Sequence, residues 1–282
     1  MTVLSWPERP RVYLTLDLEC DFGTLLAANV PTPGANSYEA ASHTDELAAL
    51  LERLSIPLTC FVQTDLLDER PEAVEALRES GVDVRFHPHS HTHRHRTKTS
   101  IRYEVEESTE RYRDFFGRDP VGYRFPNGDV RPEDYEHLAR EDYRFDASVF
   151  PTWRPGHFDN TDQPTTPQYL DNVDIYEIPF SVYRPWFPVP TALSFCRLFG
   201  RPYTTMLTRR PPPVVVFNIH MHDLVTPSTV ETLPARYRAV YARNDRGLAM
   251  LDDILQAFQR NGYGFGHIDD VHDALRGESE RR

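Results

Sequence analysis

The chain has 282 residues and a net charge of −12, with only one lysine, Lys98, among its 31 basic residues. That length holds one large α/β domain or two small ones with a substantial core, and no linker or repeat divides it, so residues 1–282 are expected to form a single domain. The acidic balance argues against a nucleic-acid or anionic-membrane partner, and Cys20, Cys60 and Cys196, widely spaced and without a CxxC, fit a reducing compartment rather than a disulfide framework.

"RVYLTLD", Arg11 to Asp17, alternates and is rich in strand-favouring residues, so it predicts a first strand. "SYEAASHTDELAALLERLS" has helical spacing, with Leu47, Leu50, Leu51 and Leu54 on one stripe. "IPLTCFVQT" predicts a second strand. "RPEAVEALRESG" is punctuated as a helix, with Pro71 near its start and Gly81 after its end. "VDVRF" is a third strand and runs directly into "HPHSHTHRH". The alternation continues with a helix near Arg102 to Phe116, a strand at "VGYRF", a helix after Pro132 and a strand at "YRFDASVF". From about 151 to 213 the rhythm breaks into an irregular insertion rich in proline and aromatics, where only "DIYEIPFSV" reads clearly as a strand. "PPPVVVFNIH" is a buried-type strand, followed by a helix over Leu248 to Arg260, a strand at "GYGFGHI" and a short helix at "DDVHDAL". Repeated βα units of this kind predict a parallel sheet curled into a closed or nearly closed barrel.

In such barrels the chemistry sits at the C-terminal ends of the strands, and Asp17, His87, Arg124, Asp146 and His220 all fall at or just past those ends. The first strand ends in "TLDLECD", where Asp17, Glu19 and Asp21 alternate. Carboxylates so placed repel one another unless a cation or a shared proton relieves them. Five histidines occupy every second position from His87 to His95. On a strand they would share one face; on a helical turn the pairs are His87/His91, His89/His93 and His91/His95. A carboxylate with two imidazoles makes an open site for a divalent transition metal. Arg124, in "YRFPNGD", is placed to orient a catalytic carboxylate and keep it ionised. His220 emerges from an apolar strand into a setting where its pKa can be tuned for acid catalysis, with His222 and Asp223 in reserve. Trp153, Trp186 and Phe187 are aromatic candidates for the wall of a sugar-binding cleft.

Five segments in order, "TLDLECD", "GVDVRFHPHSH", "YRFPNGD", "FDASVF" and "VFNIH", resemble the polysaccharide deacetylases, the NodB-homology or carbohydrate esterase family 4. The family's counterparts are a "TFDDG"-like strand end, "GHEIGNHTxSH", "RxPxG", "YDSSxF" and a late strand ending in histidine. The resemblance implies a distorted (β/α) barrel of about seven parallel strands. It implies Asp17 as general base, Arg124 bracing it and His220 as the acid. Setting Gly81 and Asp83 on the family's leading glycine and acidic residue implies His87 and His91 as metal ligands, with His91/His95 as the second-choice pair. The family's adjacent aspartates are absent, because Leu18 follows Asp17; relatives with a one-residue gap imply Glu19 as the carboxylate ligand, with Asp21 as the second choice.

The expected activity is metal-dependent removal of an acetyl group from an N-acetylated amino sugar or glycoconjugate. The expected cofactor is one divalent transition metal, zinc or else cobalt or nickel. Two competing readings accompany it: hydrolysis of a small cyclic amide or ureide on the same fold, and an inert carbohydrate-binding protein. No window approaches the ~18 apolar residues of a membrane span, and "MTVLSWPERPRVYLTLDLEC" lacks the basic and apolar regions of a signal peptide. The expected location is therefore cytoplasmic, and the expected partner is a carbohydrate or small amide substrate, with no nucleic acid.

Overall fold

The computed structural model of the chain describes residues 1–30, 37–154, 158–235, 237–238, 246–279 and 281. Its centre is β1 (Arg11–Leu18), which lies parallel to every neighbour. β7 (Val214–His220) pairs with it from Val214↔Arg11 to His220↔Asp17. On the other side β2 (Leu58–Val62) pairs with its upper half, Thr15 to Leu18, and β8 (Gly264–Gly266) with its lower end, Arg11 to Tyr13. β3 (Val84–Pro88) lies beyond β2, from Val84↔Leu58 to Pro88↔Val62.

A period of two along these strands sorts the side chains into two layers. Val12, Leu14, Leu16 and Leu18 of β1, Cys60 of β2, Phe86 of β3 and Val215, Phe217 and Ile219 of β7 face the surrounding helices. There they meet Leu47 and Leu51 of α1 (Thr44–Leu54), Leu77 of α2 (Pro71–Arg78) and Tyr112 of α3 (Ile101–Phe116). The intervening residues point to the barrel interior, where Tyr13, Phe61, Val214 and Val216 form a second apolar cluster. Further up the same inner faces stand Thr15, Asp17, Asn218 and His220, with Asn218 beside Thr15 and His220 beside Asp17 in register.

A second sheet continues the curl. β4 (Gly122–Tyr123), β5 (Phe145–Asp146) and β6 (Ile175–Glu177) are parallel, with antiparallel Gln168–Leu170 and Thr2–Val3 at the far edge. α4 (Tyr135–Arg140) connects β4 to β5. Hydrogen bonds join the two sheets at both edges: Arg124 N–H donates to the Pro88 carbonyl at 3.2 Å, and Val216 N–H to Ser181 Oγ at 2.8 Å. Among the described residues, five parallel strands in one sheet and three in the other therefore make a curled, incompletely closed barrel.

The irregular stretch holds more structure than its sequence predicts. It contains the paired strands Val182–Arg184 and Phe187–Pro190, and the helix α5 (Leu193–Arg209). Gly200 at φ +65° breaks that helix near its middle and Pro202 follows two residues later. These two residues hide the helical period from a sequence reading. α6 (Gly247–Arg260) and α7 (Ile268–Ser279) follow, and α7 sends Ile268, Val271 and Leu275 into the interior cluster. Residues 155–157 of the predicted insertion lie outside the described residues. No helix among the described residues is long and apolar enough to cross a membrane.

Candidate active site

The inner-face rows end in a polar cluster at the C-terminal ends of β1 and β7. Asp17 Oδ1 accepts from Arg124 Nη1 at 2.6 Å and Oδ2 accepts from Asn218 Nδ2 at 3.0 Å. Burial by itself would raise this carboxyl, but Arg124, with His89 and His220, outweighs it and holds Asp17 below the ordinary carboxylate range. The guanidinium is fixed in turn. Its Nε donates to the Ala147 carbonyl at 2.8 Å, and its carbon lies 3.9 Å from the Phe61 ring centre and 4.3 Å from that of Phe180. A planar cation between two aromatic faces keeps one orientation.

Glu19 stands one inner-face position above Asp17, against His89 and His93. Glu19, His89 and His93 present ligand atoms that all lie within 4.8 Å of one another. His89 Nδ1 is 2.8 Å from the Arg124 carbonyl and His93 Nδ1 is 3.1 Å from the Gly23 carbonyl. A carbonyl only accepts, so each ring carries a proton on Nδ1, and each ring when neutral turns a bare Nε2 lone pair to the cluster. Those two Nε2 atoms face each other at 3.1 Å, with Glu19 Oε2 at 3.3 Å from His89 and 2.5 Å from His93. Glu19 Oε1 is buried without a hydrogen-bond partner. Two lone pairs and a carboxylate converging in a buried space repel unless a cation or a shared proton lies between them. A tetrahedral ion with bonds of about 2.0–2.1 Å spaces its donors about 3.3 Å apart, so this trio fits a late divalent metal by donor type and by two of its three spacings, 3.1 and 3.3 Å. Histidines oriented by backbone carbonyls are the usual outer support of such a site. Gly23 permits the approach: a Cβ there would stand 2.8 Å from the Glu19 carboxyl carbon and 3.0 Å from His93 Nδ1.

The expected pair, His87 and His91, is not brought to this cluster. His87 is the inner-face residue of β3 itself, beside the rings of Phe61 and Phe145, with Nε2 on Asp269 of α7 at 3.1 Å and Nδ1 accepting from Gly122 N–H at 3.2 Å. The next inner-face position, His89, lies just past the strand end and reaches the metal-type trio. His91 turns away to Thr64 Oγ1 at 3.2 Å, in a turn with positive φ at Ser90 (+61°) and His93 (+58°). Glu104 of α3 pins that turn by accepting from the N–H groups of His91 and Thr92 at 3.0 and 2.7 Å. Asp21 and His95 lie apart from the trio as well. Asp21 accepts from Ala40 and Glu39 N–H groups at 2.8 and 3.1 Å, and His95 Nδ1 meets Thr97 Oγ1 at 2.8 Å. The register had a readable signal. "HSHTH", residues 89–93, carries a hydroxyl after the first histidine and before the last, as "HTxSH" does.

His220 completes the arrangement, with Nε2 3.7 Å from Asp17 Oδ2. Its Nδ1 meets Asp223 Oδ2 at 3.1 Å, and Arg197 Nη1 of α5 donates to Asp223 Oδ1 at 2.7 Å. Burial opposes the protonated ring, but the Asp223 hydrogen bond and the charges of Glu19, Asp223 and Asp17 push His220 up to about 9. Its stacked neighbour His222 goes the other way, to about 4, through burial and the His220 charge. Arg197 and Asn218 were not expected from the sequence, although Asn218 shares the inner-face alternation of His220. Trp153 lines the adjoining cavity of about 490 Å³, whereas Trp186 and Phe187 are not part of its wall.

The polysaccharide deacetylase family model matches residues 8–145. Over this stretch, just under half of the chain, the sequence is similar to the polysaccharide deacetylases. That span contains Asp17, Glu19, His89, His93 and Arg124, and His220 lies beyond it. A Mycobacterium smegmatis protein assigned to the polysaccharide deacetylases shares the fold with TM-score 0.61 and 17% identity, over 99% of this chain and 95% of the other. A Pseudomonas aeruginosa PAO1 protein of the same assignment gives 0.60 and 15%, over 98% and 95%. The Puue allantoinase gives 0.59 and 14%, over 97% and 94%. At these identities the likeness is one of fold. No curated protein sequence matches the chain.

Proposed function

We propose that the chain is a metal-dependent hydrolase that removes the acetyl group from an N-acetylated amino sugar. The observation that carries this reading is the Glu19–His89–His93 trio, with both histidines donating Nδ1–H to backbone carbonyls, set beside the Asp17–Arg124 pair and His220. Glu19, His89 and His93 would hold the metal, zinc or else cobalt or nickel, which when bound acidifies water and polarises a carbonyl oxygen. Asp17, kept ionised by Arg124, accepts the proton of the attacking water. As the C–N bond breaks, His220 Nε2 donates a proton to the departing nitrogen, so that acetate and the free amine leave. Asp223 holds the His220 ring with Nε2 toward Asp17.

A base and an acid 3.7 Å apart can both reach a single reacting centre beside them. An inert carbohydrate-binding protein would have no use for a buried ionised carboxylate braced by a ring-clamped arginine, since leaving such charges buried is costly. The test is acetate release from N-acetylglucosamine and its oligomers by zinc-loaded protein, run beside ring opening of cyclic amides. Acetate release that stops on chelation supports the reading. Ring opening without acetate release would replace it with the cyclic-amide activity.

The role of His220 carries a pH signature. Activity needs the protonated ring, so kcat/KM falls as pH rises through the His220 pKa. Asp223→Asn removes a charge that raises this pKa, and the falling limb should move to lower pH by about one unit or more. A limb that stays in place in the variant would detach His220 from the proton transfer.

A further inference from the structure

The first part of α5 faces the wrong way for an ordinary surface helix. Leu193, Cys196 and Arg197 are buried, which turns Leu198 and Phe199 outward and leaves Phe195, their i, i+3, i+4 partner, half-buried. Leu198 is 45% and Phe199 49% exposed, and the Phe195 and Phe199 rings stack at 6.2 Å. A helix normally buries such a stripe and shows polar residues to solvent. The break at Gly200, φ +65° and ψ −156°, ends this segment and lets it lie at an angle that the rest of the helix does not share.

The stripe does not face open solvent alone. Together with Phe150, Trp153 and Val189 it walls the cavity of about 490 Å³ that also contains Asp17, Glu19, His89 and His220. Trp153 is 61% exposed, so the apolar wall reaches the cavity mouth. The volume is that of a pocket for a bounded ligand, in which apolar walls supply affinity and a few polar groups fix orientation. A pyranose lays its C–H face on an aromatic ring, but the aliphatic Leu198 and Val189 offer no partner to its hydroxyl rim.

The side of the pocket on which the wall stands is fixed by Arg197. This residue projects from the same helical segment and holds Asp223, which holds His220. The apolar stripe therefore projects from the segment that supports the acid. Taking from the proposed function that His220 protonates the departing nitrogen, we infer that the amine half of the substrate carries an apolar group, an alkyl or aryl aglycone, seated on Phe195, Leu198 and Phe199. A linear, unsubstituted glycan is then the poorer substrate.

Binding and turnover test this separately. Calorimetric titration of the zinc-loaded full chain compares the methyl and hexyl β-glycosides of glucosamine, which are deacetylated products and are not consumed. The hexyl compound should bind at least about tenfold more tightly, as burial of a few methylenes gives. That advantage should shrink severalfold in Leu198→Ser and in Phe199→Ser, both at exposed positions where folding can be checked by thermal melting. Equal binding of the two glycosides, or no binding of either, overturns the inference, as does a hexyl advantage that both serine variants retain. Acetate release from the matching N-acetyl glycosides separates the two claims. A hexyl advantage without acetate release removes the hydrolase reading and leaves the apolar seat. Acetate release with equal binding does the reverse.

Discussion

Replacing His89 or His93 with alanine should weaken divalent-metal binding by more than about a hundredfold, while His91→Ala keeps it. The magnitude follows from support residues around bound metals already being worth about 10–100-fold, so that loss of a ligand itself costs more. The direction follows from the two bare Nε2 atoms 3.1 Å apart beside Glu19. His91 is the clean control, because its ring faces Thr64 and Tyr103 on the other side of the turn. His87→Ala should also keep the metal, at some loss of stability, since that ring fills space between Phe61 and Phe145. Elemental analysis with competitive chelator titration reads the effect. Retention of metal in His89→Ala and His93→Ala, with loss in His91→Ala, would move the site to a different register.

Asp17→Asn should lower kcat by about 10²–10⁴, the range expected when a general base is removed, while metal content stays at that of the wild type. Asparagine keeps an oxygen for Arg124 Nη1, so the 2.6 Å contact has a neutral substitute and the loop after Arg124 stays placed. What is lost is the negative charge. The substitution leaves the buried guanidinium without its counter-ion, which destabilises a pair of this kind by about 3–5 kcal/mol when one charge is removed. Thermal melting should show that loss beside the kinetic one. Steady-state kinetics on a folded, metal-replete variant decide the matter. A wild-type rate would mean that another group takes the proton.

These two experiments separate what the chain's pattern states from what its folding adds. The alternation of "RVYLTLDLE" is a local property, because a pleated strand must send Thr15, Asp17 and Glu19 to one face and Leu14, Leu16 and Leu18 to the other. The same holds for Asn218 and His220 against Phe217 and Ile219. Helices with continuous stripes, such as Leu47, Leu50 and Leu51, were equally plain. The parallel order of strands followed from the βα rhythm and the five family-like segments.

The histidine register was of a different kind. Every second residue from His87 to His95 is histidine, so no local period distinguishes one pair from another. The choice is made by distant groups: the carbonyls of Gly23 and Arg124, which fix the tautomers of His93 and His89, and Glu104, which pins the turn that carries His91 away. The wall of the cavity was hidden for a related reason. Gly200 and Pro202 interrupt the period of α5, and only packing of Leu193 and Cys196 against the core sets which face of that helix looks into the site. Sequence alone determined the chemistry available at the strand ends, because side-chain direction on a strand is local. The tertiary structure decided which imidazoles meet Glu19 and what walls the cavity beside them, because both depend on hydrogen bonds and packing between segments far apart in the chain.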